Sequence, residues 1–247
     1  MEKLEREMMD GIPRAPARIC SMSETASSEP PSSRPIQSRT LAIAGLLLNL
    51  ALWLLPLGHW SERVFGKQHL ASSEVFWWLA VAVVLLYVVA VEKRRLSSIG
   101  FKRPRFLDIV LGLIVAILMV AGIVFIYNIV FPALHLQMNT KVMGSLLATP
   151  FWYRFMLVTR AAVAEEVLFR GYPIERLLEL TNSRWVAGVI PWAAFTYAHL
   201  ASWGWAQLIV AGYGGVLLTV LYLWRRNLWA NMLAHWIADG AGFLLPH

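Results

Sequence analysis

The strongest constraint in this chain is a succession of seven apolar segments, at about 40–58, 75–91, 106–131, 151–172, 185–201, 206–224 and 228–245. Each is long enough, or nearly so, to cross roughly 30 Å of hydrocarbon as a helix. The expected fold is therefore all-α, a polytopic membrane bundle of about seven transmembrane helices. Composition excludes the alternative of a soluble domain, because 58% of 247 residues are apolar, 15% are charged and the mean hydropathy is +0.56. Trp60, Trp152, Trp185, Trp203, Trp205 and Trp229 fall at segment ends, where amphipathic rings anchor a helix at the membrane interface.

Ahead of the first segment, residues 1–39 are rich in Ser, Pro, Glu and Arg and show no apolar period. They read as a disordered cytoplasmic arm. They do not read as a secretory signal, since the first apolar run begins only near Thr40 and no small-residue cleavage site clearly follows it. The lone Cys20 excludes an internal disulfide framework and a cysteine metal cluster. The net charge of +7 raises the question of nucleic acid. With the N-terminus inside, however, 17 of the 22 basic residues fall on the cytoplasmic side, six of them between Lys93 and Arg105. The charge is then a topology signal: the expected partner is the lipid bilayer, to whose anionic lipids the basic loop is attracted, and not nucleic acid.

Two parts are expected beyond the arm, N-terminal transmembrane helices over 40–149 and a functional four-helix core over 150–247. The division rests on where costly groups lie. Of 15 acidic residues only Glu165, Glu166 and Asp239 sit well inside a segment, and of six histidines only His199 and His235 do. An ionisable group in hydrocarbon costs several kcal/mol unless it pairs or lines a wet cavity, so convergence of these five on one site is the economical account. Glu166 and Arg170, four apart, share a helix face and can pair. Asn231, His235 and Asp239 form a polar stripe by the same spacing, and Gly212, Gly214 and Gly215 let a neighbouring backbone approach.

Such a set permits water activation. A carboxylate and a histidine can hold a water between them, the carboxylate taking its proton while other donors stabilise the developing oxyanion. Histidines and carboxylates could alternatively hold zinc, although the compact His-Glu-x-x-His helix that would favour zinc is missing.

Glu165-Glu166 with Arg170, Phe195 with His199, and His235 with Asp239, in this order and flanked by Phe-Arg-Gly and Ala-His-Leu, resemble the three motifs of the CPBP family. This is the family of CAAX prenyl endopeptidases and bacteriocin-processing enzymes, also called Abi proteins. The resemblance covers roughly residues 150–243. It implies an intramembrane endopeptidase, of metallo- or glutamate type, acting on membrane-embedded or lipidated peptides and proteins. Residue by residue, it implies that Glu165 and His199 activate water, that Glu166 and Arg170 support them, and that His235 with Asp239 stabilises the oxyanion. A metal, if one is bound, would be zinc on Glu165, His199 and His235; no other cofactor is expected. The family's last motif takes Asn or Asp, and an ionised Asp239 cannot donate a hydrogen bond. Asp239 is therefore expected to orient His235, and Asn231 to supply an amide donor.

Depth sets one more expectation. A fourth transmembrane helix ending at Arg170 would leave Glu165 and His199 near opposite faces of the membrane. The helix must run on, kinked, through Glu175 and Arg176 toward Leu180, well over 20 residues in all. Two other functions stay open at this stage. One is a proton-coupled transporter, which should show repeats and paired broken helices that are not seen here; the other is a non-catalytic scaffold, against which the complete motifs argue.

Overall fold

The computed structural model describes residues 34–54 and 72–245. Cys20, the N-terminal arm up to residue 33 and the first loop, with Trp60, lie outside the described residues. Among those described there is no strand, and eight helical rods account for most of the chain. We number the helices in order: α1 Arg34–Leu54, α2 Ser72–Leu86, α3 Phe106–Phe125, α4 Thr140–Leu147, α5 Phe151–Glu166, α6 Tyr172–Thr181, α7 Arg184–Ala198, α8 Gln207–Arg225 and α9 Leu228–Phe243. The seven long rods take the places of the seven apolar segments. α1 starts six residues ahead of the expected Thr40, and the short α4, capped by Asn139 accepting from Val142 N–H, was not expected.

Three helical stretches are long and apolar enough to cross a membrane, Glu74–Val91, Phe106–Ala133 and Gln207–Arg225. The protein is an integral membrane protein. α3 shows why: Leu113, Ile114, Ile117 and Leu118 are exposed on one side, an apolar surface that only a lipid environment accommodates, while Gly112, Ala116 and Met119 face the protein.

α5 and α6 are one rod, 16 α residues and 10 α residues joined by a five-residue π turn at Val167–Gly171. The expected long, kinked helix is thus present, and the kink has a cause. Pro173 has no N–H to give the carbonyl four residues back and its ring crowds that carbonyl. The wider turn accommodates this, with Tyr172 N–H bonding to Val167 O. The rod ends at Asn182 in the left-handed region, and Ser183 caps α7.

α9 packs on α3 and α5, α7 on α8 and α6, α8 on α3, and α2 on α5. Val88, Ile99, Val167, Leu168, Tyr172 and Leu228 form the shared core. One end of the bundle is tied by buried ion pairs. Glu92, at the end of the π turn Tyr87–Val91 that continues α2, takes two guanidinium nitrogens of Arg176 at 2.5 and 2.9 Å and the Tyr172 hydroxyl at 2.9 Å. Glu175 pairs with Arg226 and accepts from Tyr222 Oη. Asp108 caps α3 by accepting from Arg105 N–H at 2.8 Å and bonds Arg225 and Asn227. The Asp108 carboxylate is buried.

Candidate active site

Glu165 and Glu166 close α5 where the π turn begins, and adjacent helical positions send their side chains in different directions. Glu166 points into the protein and is fully buried. Its Oε1 accepts from Arg170 Nη1 at 2.9 Å and faces His235 Nδ1 at 2.8 Å, and its Oε2 accepts from the Asn231 amide at 3.0 Å. The Arg170 partner was expected from the spacing of four, whereas His235 and Asn231 were not expected on Glu166. The Asn231 amide also donates to Leu218 O at 2.7 Å, so it is committed twice and is not the oxyanion donor expected of it.

Arg170, equally buried, lies 3.9 Å from the centroid of the Phe195 ring, a cation–π contact within the bundle. Phe195 thereby acquires two tasks, since its carbonyl also meets His199 Nδ1 at 2.9 Å. A carbonyl only accepts, so this contact assigns the proton to Nδ1 and leaves Nε2 as the acceptor nitrogen. Gly215 makes room for the arrangement: a Cβ there would stand 3.0 Å from both Phe195 and Trp192.

Glu165 does the opposite of its neighbour. Its side chain keeps 18% exposure and opens into a cavity of about 220 Å³, which His199, His235, Asp239, Arg160 and Gln207 also line. His235 Nε2 stands 3.9 Å from Glu165 Oε2 and 3.5 Å from Asp239 Oδ2, distances that one bridging water would span. The cavity draws on α5, α7, α8 and α9, with Met119 and Ile123 of α3 closing it.

Residues 147–241 match a family model described as Rce1-like, type II CAAX prenyl endopeptidase Rce1-like. The matched residues contain all six motif positions, Glu165, Glu166, Arg170, His199, His235 and Asp239. No curated protein and no solved structure matches the chain.

The donors of this site are not held as those of a metal site would be. Among the described residues no three His, Cys, Asp or Glu side chains are grouped to hold an ion. His235 Nδ1 is taken by Glu166 and His199 Nδ1 by a carbonyl, and Glu165 lies nearly 4 Å from the nearest imidazole nitrogen.

Arg160, a charge deep in its segment for which the sequence allows pairing with a motif carboxylate or lining a substrate path, donates to Glu74 at 2.8 Å and approaches Glu165 at 3.6 Å. Glu74 gave no signal, because a carboxylate in the first turn of a helix is ordinarily solvated. Gln207, accepting from Tyr127 Oη at 3.1 Å, also stands on the cavity wall unanticipated.

Proposed function

We propose that this protein is an intramembrane endopeptidase that hydrolyses peptide bonds of membrane-associated substrates, prenylated C-a-a-X peptides among them, with a water activated by Glu165 and His199. The observation that carries the reading is the division of labour between neighbours. Glu166 has its oxygens filled by Arg170, His235 and Asn231, whereas Glu165 opens on a cavity shared with His199 and His235. Of the two neighbours, Glu165 is the one whose carboxylate opens where a water can reach it.

In this reading a water sits between Glu165 and His199 Nε2. Glu165 takes its proton as the oxygen attacks the scissile carbonyl, and later returns that proton to the leaving amine. His235 acts as an imidazolium, donating Nδ1–H to Glu166 and Nε2–H to the oxyanion, with Asp239 beside it orienting the ring. Glu166 and Arg170 hold the frame. The N-terminus is cytoplasmic and the substrate enters from the bilayer.

The test is cleavage of a farnesylated peptide ending in Cys-a-a-X by the full-length protein in bilayers. Glu165→Ala and His199→Ala are each expected to lower turnover by about 10³-fold or more with the protein folded. Dialysis against a chelator should leave wild-type turnover unchanged. Undiminished cleavage by Glu165→Ala ends the proposal, and a chelator-induced loss restored by zinc ends its metal-free form.

A further inference from the structure

Arg160 has no task in the hydrolysis just described, yet it shares the cavity wall with Glu165. Its guanidinium is held from three directions. Nε donates to Glu74 Oε2 at 2.8 Å, Nη1 is 3.6 Å from Glu165 Oε1, and the group lies 5.3 Å from the Trp77 ring centroid. Two of these three anchors, Glu74 and Trp77, belong to α2, which lies outside the matched residues 147–241.

The order of the two carboxylate contacts is informative. Glu74 is buried, with 4% of its side chain exposed, and takes Arg160 at full hydrogen-bond length. Glu165 receives only the longer approach. An arginine turned wholly onto Glu165 would bind it through paired N–H groups and fill the lone pairs a water needs. In a site of low polarity that contact would be hard to break, because the attraction is screened less than at a surface. Glu74 competes for the same guanidinium and holds it back.

We propose that Glu74 is a positioning residue for Glu165: by engaging Arg160 from α2, it keeps the Glu165 carboxylate open to the cavity water. The inference rests on the hydrolytic reading of Glu165 and adds to it a contribution from α2.

The test compares full-length wild type, Glu74→Gln and Glu74→Gln/Arg160→Gln in bilayers, on the same farnesylated peptide. Glu74→Gln keeps the shape and an acceptor but gives up the charge; kcat is expected to fall about ten-fold with KM within about two-fold of wild type. The double variant has no guanidinium to clamp Glu165 and should recover at least about a third of the loss on a logarithmic scale. A tie that merely joins α2 to α5 would not recover when its second half is removed. Glu74→Asp, which keeps the charge but withdraws by one methylene, should give an intermediate kcat and stands in if Glu74→Gln does not fold. Labelling of Glu165 by dicyclohexylcarbodiimide, read by mass spectrometry, should slow in Glu74→Gln and recover in the double variant. Wild-type kcat and labelling in Glu74→Gln, or a double variant no better than the single, overturn the proposal. If instead wild type leaves the peptide intact, or Glu165→Gln cleaves it, the hydrolytic reading fails, and the labelling series still decides whether Glu74 holds Arg160 off Glu165.

Discussion

Consecutive residues on a helix point about 100° apart, and at Glu165 and Glu166 that rotation separates a group for chemistry from a group for architecture. Glu166 is the counter-charge of a guanidinium with no exposure at all, so its removal strands Arg170. We expect Glu166→Gln to cost ~3–5 kcal/mol of stability, the usual result of breaking a buried pair. Glu165→Gln, on an open cavity wall, should shift stability by only about 0.5 kcal/mol while abolishing cleavage. Thermal unfolding of the two variants in the same bilayer decides it, and equal losses would remove the distinction on which the mechanism stands. At this scale the sequence was legible where one helix carries both partners. Glu166 with Arg170 and His235 with Asp239 followed from a spacing of four, and both contacts are present. It was not legible where partners come from different helices. Asn231 was assigned to an oxyanion because nothing in the chain shows that Glu166 and Leu218 O meet it first.

The π turn between α5 and α6 governs how these side chains are aimed, because one extra residue per turn resets the facing of everything before it relative to everything after. Its last residue, Gly171, runs against the 3₁₀ turn at Leu96–Ile99: a Cβ there would stand 2.7 Å from Ile99 O and 2.9 Å from Leu228 Cδ1. A backbone carbonyl cannot step aside as a side-chain end can. Gly171→Ala is therefore expected to cost about 1–3 kcal/mol, as overpacking does, and to lower cleavage by shifting the Glu166–Arg170 register. Full stability and turnover in Gly171→Ala would show that the turn yields. The need for a long, broken rod could be argued from the sequence, since Pro173 and the depths of Glu165 and His199 were in conflict with a short one. The π geometry could not, because a proline within a helix can be met by a kink, a break or a wider turn, and the chain alone does not say which. α4 went unseen for a simpler reason, eight residues being too few to stand out as a span.

For the molecule as a whole, an odd number of crossings places the two termini on opposite faces of the membrane, and the basic residues say which face is which. Lys93, Arg95, Lys102 and Arg103 are exposed in the segment between α2 and α3. Partial burial, and after it the charge of Arg226, push the Lys102 ammonium below its usual pKa. Cytoplasmic segments hold such charge, so α2 is expected to end inside, which would put the α1–α2 connection outside and the N-terminus inside. The single cysteine makes this directly testable. A membrane-impermeant maleimide should leave Cys20 unlabelled in intact cells and label it in inverted vesicles, whereas Ser61→Cys in a Cys20→Ser background should show the reverse. Labelling of Cys20 from outside would invert the assignment and place the Lys93–Arg105 segment on the translocated side. The buried carboxylates Glu92, Glu175 and Asp108 would go with it, because Arg176, Arg226 and Arg225 tie them to that same end of the bundle.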